Sequence, residues 1–239
     1  MAALKDDEAC MLAIKLLGGF SVPMTLKAVI ELGLIDQLLA ADGRAITVEE
    51  LAAGLPCPGK TADMVDRMLR FLASHSVVNC ITELGPDGMA CRSYAALPVC
   101  KWLAGKGAED SVVPFGRMIL HKAFIESWYY MKDAVLDGGT PPFEMAYGLP
   151  MFKYLREDES LSMLFNQGMS SLSLIVTKKL VDIYRGFEDI SVLVDVGGGD
   201  GTTLGIIKGQ YKNLRCINYD LPDVIAQAAH IEGQSCPCR

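Results

Sequence analysis

Between positions 23 and 39 large apolar residues recur as Leu26, Ile30, Leu34 and Leu38, with Ile35 and Leu39 beside them. This spacing predicts one helix with one buried face. Thr47-Val48-Glu49-Glu50 has the form of a capping box, in which the threonine hydroxyl accepts from the amide three residues on and Glu50 reaches back, with Ile46 and Leu51 at staple positions. A second, short helix is expected there. Thr61 opens a third, with Met64, Met68, Phe71 and Leu72 on one stripe and Asp66, Arg67 and Arg70 on the solvent side. The period then changes. Residues 77–81 are β-rich, Gly85-Pro86-Asp87-Gly88 signals a turn, and residues 89–94 can return as the partner strand. Three helices and a hairpin predict a winged-helix-like domain over residues 1–110.

Residues 95–190 read as mostly helical, punctuated by Pro98, Pro114, Gly138-Gly139, Pro141-Pro142 and Pro150. The stretch 126–136 is amphipathic, and residues 161–174 carry Met163, Leu164, Phe165, Met169 and Leu172. Such a stripe is core unless something else in the chain points to a ligand. Ser191-Val192-Leu193-Val194-Asp195-Val196 is a short apolar strand that ends in Gly197-Gly198-Gly199-Asp200-Gly201, and residues 202–211 follow as a helix. Glycines there let a ligand approach the backbone, and the amides of the helix N-terminus face the gap. A second strand, residues 214–219, ends in Asp220, placed to accept from ribose hydroxyls. The dinucleotide fingerprint G-x-G-x-x-G puts its third glycine at Thr202, a branched residue, so a nicotinamide dinucleotide fits poorly. A nucleoside-bearing cofactor of another kind is expected at residues 195–220.

The 239 residues are long for one domain and comfortable for two. A composition that is 51% hydrophobic and 21% charged excludes a disordered, collagen-like or coiled-coil chain. A net charge of −7 and a third helix that mixes Asp63 and Asp66 with Arg67 and Arg70 argue against a nucleic-acid partner. The acidic start and the interruption of residues 11–24 by Lys15, two glycines and Pro23 give no signal peptide and no membrane span, so the cytosol is the expected compartment. Cys10, Cys57, Cys80, Cys91, Cys100 and Cys216 are scattered, and are expected as buried, reduced thiols; Cys236-Pro237-Cys238 lacks the second pair a metal site needs, so no metal is expected. The apolar surplus of residues 11–35 predicts a dimer interface.

Asp195-x-Gly197-x-Gly199-x-Gly201 resembles the first motif of class I S-adenosylmethionine methyltransferases. Further runs look like plant caffeic acid O-methyltransferases: Pro23-Met24-Thr25-Leu26-Lys27-Ala28, Asp66-Arg67-Met68-Leu69-Arg70, Glu126-Ser127-Trp128-Tyr129, Phe165-Asn166-Gln167-Gly168-Met169-Ser170 and Asp220-Leu221-Pro222-Asp223-Val224-Ile225. The resemblance implies a homodimer through the N-terminal domain, followed over residues 111–239 by a helical acceptor-binding segment and the start of a Rossmann-like α/β domain. It implies S-adenosylmethionine as methyl donor and a phenolic acceptor of phenylpropanoid or flavonoid type. Position by position, Gly197, Gly199, Gly201, Asp220 and Leu221 would hold the cofactor and Ser173 would approach its methionine end. Met118, Ile119, Leu161, Phe165 and Met169 would contact the acceptor. Ile119, His121 and Leu161 stand where the family usually has other residues, which leaves the acceptor open.

The resemblance also implies that the family's general-base histidine lies past Arg239, so no catalytic residue is assigned, and His121 and His230 match no base position. His75 is expected as a partly buried structural residue. Two roles stay open: an O-methyltransferase, with this chain a truncated form of it, or a non-catalytic partner that pairs with a full-length relative.

Overall fold

The computed structural model describes residues 5–56, 58–85, 88–105, 110–226 and 234–235. They form two units, one through Val113 and one from Pro114 onward. The first contains α1 (Asp6–Gly18), α2 (Ser21–Glu31), α3 (Leu34–Ala40), β1 (Ile46–Thr47), α4 (Val48–Ala53), α5 (Pro58–Ser74), β2 (Val78–Leu84) and β3 (Ala90–Ala96), then a 3-10 turn over Pro98–Leu103. The single helix expected over residues 23–39 is therefore two. Gly33 adopts φ +70° and ends the first, since only glycine takes left-handed backbone freely. The turn lets Val29 on α2 and Leu34, Ile35 and Leu38 on α3 all reach one core, with Leu51, Val65, Leu69 and Leu72.

The capping box forms as expected: the Glu50 amide donates to Thr47 Oγ1 at 3.2 Å and the Thr47 amide to Glu50 Oε2 at 3.3 Å. Arg44 donates to the same carboxylate and, with the Thr47 amide, holds it below the usual carboxylate range. Helix α5 starts at Pro58, before the expected Thr61, as proline is tolerated in a first turn where its missing N–H has no partner to lose. Its buried stripe is Val65, Leu69 and Leu72; Met64, expected inside, is exposed.

Strands β2 and β3 pair antiparallel from Val78↔Ala96 to Leu84↔Ala90, and β1 joins the other side of β3. At the hairpin the Gly85 amide donates to Met89 O at 2.8 Å; Pro86 and Asp87 lie outside the described residues. Asp66, expected on the solvent side, turns instead to this wing. Its Oδ1 accepts from the hydroxyl of buried Tyr94 at 2.8 Å, and its Oδ2 from Arg70 and Arg92 at 2.9 and 3.2 Å. A helix wheel cannot show a strand from elsewhere arriving at its polar face. Burial and the Asp66 carboxylate push the Tyr94 hydroxyl well above its ordinary pKa.

Helix α1 buries none of its residues. Met11, Leu12, Ile14, Leu16 and Leu17 are exposed along it, Leu17 by 87%, and so is Phe20 just beyond. The apolar surplus expected over residues 11–35 is thus narrower, because Val29, Leu34 and Ile35 belong to the core. The thiols also divide: Cys100 and Cys216 are buried, but Cys10 on α1 and Cys91 near the hairpin tip are exposed, contrary to expectation. Cys57 and Cys236-Pro237-Cys238 lie outside the described residues.

The second unit carries α6 (Val113–Ile119, whose first residue closes the first unit), α7 (Lys122–Ser127), a 3-10 turn at Trp128–Tyr130, α8 (Met131–Asp137), α9 (Pro142–Tyr147), α10 (Met151–Glu157), α11 (Glu159–Ile183), β4 (Val192–Val196), α12 (Thr202–Gln210), β5 (Arg215–Tyr219), α13 (Pro222–Ile225) and β6 (Gln234–Ser235). The stretch 126–136, expected as amphipathic, is broken by the 3-10 turn and leaves Trp128, Tyr129, Val135 and Leu136 exposed. Strands β4 and β5 pair parallel in register Val192↔Arg215 to Val196↔Tyr219, and β6 adds a third parallel strand beside β5. That third strand, two residues in a tail without an apolar run, was not expected. Helices α11 and α12 cover one face of the sheet, where Val181, Leu193, Leu204, Ile207, Leu214 and Cys216 pack together. The opposite face differs. Val192, Val194 and Val196 are all exposed, Val196 by 75%.

Candidate functional site

The glycine loop leaves the end of β4 at the point where β5 also ends, so both strands aim their carboxyl ends at one crevice. Gly197 donates its N–H to Tyr219 O at 2.7 Å, which keeps the strands together into the loop. Gly197, Gly199 and Gly201 all have positive φ, from 59° to 83°. Gly198 is constrained by space: an added Cβ would lie against Asn218 Oδ1 and 2.9 Å from the Asp195 carboxyl carbon. Asp200 Oδ1 accepts from the Thr202 amide at 3.0 Å and so starts α12, while the Ser170 and Thr202 hydroxyls meet at 2.8 Å and tie α12 to α11.

Asp220 closes the crevice. Its Oδ2 accepts from the Gly199 amide at 2.8 Å and its Oδ1 from the Leu221 amide at 2.7 Å. A carboxylate oxygen has two lone pairs, so each still has one for a hydroxyl. Leu221 keeps an exposed apolar side chain just after it. A glycine loop without Cβ atoms on its approach and an acid with free lone pairs together fit a nucleoside with vicinal hydroxyls. Burial, and secondarily the Asp220 charge, raise the Asp195 carboxyl above the usual carboxylate range.

Gly197, Gly199, Gly201, Asp220 and Leu221 are therefore brought together. Ser173 lies on α11 one turn past Ser170, on the stripe that continues through buried Thr177 and Val181. Along the same helix Phe165, Met169 and Ser173 recur every four residues, so the first and last stand about 12 Å apart. Leu161 and Phe165 join an aromatic cluster with Phe124, Phe143, Tyr147 and Tyr154, in which Leu161 is fully enclosed. The Tyr147 hydroxyl donates to Glu126 Oε2 at 2.9 Å, and burial with that contact pushes its pKa up to about 12. Met118 is buried against Gly168 of α11, where an added Cβ would meet its side chain at 2.8 Å; Ile119 is exposed.

Among the described residues the histidines offer no poised base. His121 caps α7, its Nδ1 accepting from the Ala123 amide at 3.3 Å. His75 stands edge-on to Phe71 with ring centroids 4.9 Å apart and is exposed, not partly buried as expected. His230 lies outside the described residues. Sequence reasoning assigned no role to Asn218, although its parity with Cys216 on an inward-facing strand marks it as a polar group in the core.

The strand, glycine loop, helix and second parallel strand define the start of a class I methyltransferase fold, which follows in sequence a helical domain with a β-wing. A solved structure of human N-acetylserotonin methyltransferase in complex with SAM superposes with a TM-score of 0.79 at 21% identity, covering 100% of this chain and 68% of that one. The O-methyltransferase domain family matches residues 128–236, and the O-methyltransferase dimerisation domain family matches residues 14–106. Among curated relatives, the chain is 58% identical over 97% of its length to a eugenol O-methyltransferase of Sorghum bicolor. It is 56% identical over 95% to a naringenin 7-O-methyltransferase of Oryza sativa subsp. japonica, and 47% identical over 98% to a caffeic acid 3-O-methyltransferase of Zea mays. The chain thus carries both an O-methyltransferase and an O-methyltransferase dimerisation domain match and is similar to these plant O-methyltransferases, and it spans 62 to 65% of the length of the three relatives.

Proposed function

We propose that this chain holds S-adenosylmethionine in the crevice between the glycine loop and Asp220, and forms the donor-binding and acceptor-lining part of an O-methyltransferase acting on a phenylpropanoid or flavonoid hydroxyl. The observation that carries this reading is the pairing of three positive-φ glycines with a carboxylate that keeps lone pairs free. Gly197, Gly199 and Gly201 would let the donor lie against the backbone, Asp220 would take the ribose hydroxyls, and Leu221 would pack beside the base. Ser173 would face the methionine end. S-adenosylmethionine supplies an electrophilic methyl group on a sulfonium centre.

Met169 and Phe165 stand one and two turns before Ser173 on α11, which supports an acceptor ring close to the donor end of the crevice. The aromatic cluster around Phe124 and Phe143 supports a flat, apolar acceptor. Ile119 would meet the same ring, while Met118 and Leu161 would shape its surroundings from beneath. A phenol, which in water ionises only at a pH of about 10, gives up its proton at neutral pH only to a base within hydrogen-bond reach. Neither His75 nor His121 is disposed for that, and the base is left unassigned. Self-association, which the dimerisation-domain match over residues 14–106 supports, would use the exposed face of α1; a longer relative with the same domain could dock there equally well.

Isothermal titration of the chain with S-adenosylmethionine tests the reading. Saturable binding, competed by S-adenosylhomocysteine and not by a nicotinamide dinucleotide, is expected. Preference for the dinucleotide would overturn it.

A further inference from the structure

Asn218 lies on β5 at the register position opposite Asp195 of β4, with 0% exposure. Its Nδ2 donates to Gly199 O at 3.0 Å. The amide of that same glycine is held by Asp220, two residues further along. Gly199 is thus gripped at both of its backbone polar groups by side chains from one strand end. Gly198 meanwhile passes so close over Asn218 Oδ1 that it has no room for a Cβ. Oδ1 itself has no hydrogen-bond partner. A buried acceptor without a donor is unfavourable, and an apolar residue, such as Cys216 on the same face, would avoid the cost. The fold gains from an asparagine here only through its other half, the donor to Gly199.

We propose that Asn218 is a positioning residue of the cofactor site: it fixes the carbonyl of Gly199, and with Asp220 clamps the glycine loop in its binding shape before any ligand arrives. The proposal rests on the reading that this loop receives S-adenosylmethionine. Asn218 acts on the cofactor through the loop. The charged groups around it are Asp195 from β4, Asp220 at the end of β5 and Asp200 in the loop, whose Oδ1 is occupied by the Thr202 amide. Helix α12 packs over this face with the uncharged Leu204 and Ile207, and its Lys208 reaches the start of the strand, where it donates to Leu214 O and acts on Cys216.

The test uses the full chain with Asn218→Leu and Asn218→Asp, titrated with S-adenosylmethionine in a mildly acidic and a mildly alkaline buffer. Hydrogen exchange of the loop amides is followed in the ligand-free proteins. Asn218→Leu should bind about tenfold more weakly in both buffers, the loss of one hydrogen bond, with faster exchange at residues 198–201 and an unchanged wing hairpin. In Asn218→Asp the neighbouring acids favour the protonated carboxyl, which can donate to Gly199 O, whereas the ionised form cannot. Its affinity should approach the parent's in acid and fall in alkali, more steeply than the parent's own. Parent-like binding and exchange in Asn218→Leu would overturn the proposal. A parent chain that does not bind S-adenosylmethionine would overturn the functional reading instead, and the exchange experiment would still decide the clamp.

Discussion

Gly199 donates its amide to Asp220 Oδ2 at 2.8 Å, so the carboxylate that would meet the ribose is also the one that shapes the loop beneath it. Asp220→Ala removes both functions. S-adenosylmethionine affinity should fall by about 10- to 100-fold, because hydrogen bonds to a charged group are worth about 1.5–3 kcal/mol each. Asp220→Asn keeps one acceptor oxygen and should lose less. Calorimetry on the two variants orders them, and equal affinities for Asp220→Ala and the parent would remove Asp220 from the site.

Gly198 is the loop position at which a side chain is excluded by its neighbours. Gly198→Ala would press its Cβ into Asn218 and the Asp195 carboxyl, neither of which can withdraw from a paired strand. Overpacking of this kind costs about 1–3 kcal/mol. Thermal melting should show that loss together with weaker cofactor binding, whereas Gly209→Ala, on α12 with open space around it, should hold or raise the melting temperature, because alanine favours the helix.

How much of this was legible beforehand follows from the type of signal. The capping box at Thr47, the glycine loop and Asp220 are local patterns whose geometry depends on a few consecutive residues, and each formed where the spacing put it. The break at Gly33 was hidden because a lone glycine is tolerated in a helical pattern and only packing decides whether it turns left-handed. Asp66 falls on the solvent side of the helical pattern because its partners, Tyr94 and Arg92, lie on a strand far along the chain. Strand β6 had no apolar alternation to announce it, as its pairing is set by the β5 backbone beside it.

The Asp195 carboxyl has its pKa raised by burial and by Asp220. A raised folded-state pKa means that the folded chain binds this proton more tightly than the unfolded chain. The associated stability is therefore complete below the unfolded pKa and lost as pH rises through the folded one. Asp195→Asn, which cannot ionise, should melt higher than the parent at neutral pH, with the difference shrinking as the pH is lowered. A gap that widens in acid would reverse the sign of this account.

Leu16 and Leu17 project from a helix with no buried residue of its own. If they form the core of a self-association surface, a charge there must be left in an apolar interface or the interface must open. Leu17→Glu should shift the chain from dimer to monomer at tens of micromolar (about ten times a micromolar Kd) in sedimentation or light scattering. Its helical content should stay unchanged, because the site is solvent-facing within one chain. A Leu17→Glu variant that stays dimeric would place the interface elsewhere, and a parent chain that is monomeric under the same conditions would remove the self-association surface.

Gly168 lies in the middle of the 25-residue helix α11, buried against Met118. Two opposing effects meet there. Replacing a mid-helix glycine by alanine favours the helix by about 1 kcal/mol. The new Cβ, however, would stand 2.8 Å from both Cβ and Sδ of Met118. The sulfur can rotate away, but the Met118 Cβ is fixed to the backbone of α6, so the helices must separate. At about 1–3 kcal/mol, overpacking should exceed the gain in propensity, and Gly168→Ala should lower the melting temperature. Adding Met118→Ala removes the sulfur contact and leaves the Cβ contact, so rescue should be partial. Because Met169 and Phe165 share α11 with Gly168, the same displacement should alter which phenolic ligands bind more than it alters S-adenosylmethionine affinity. A variant with parental stability and parental ligand preference would show that Met118 can repack freely, and that the close approach of α6 to α11 does not shape the acceptor side of the site.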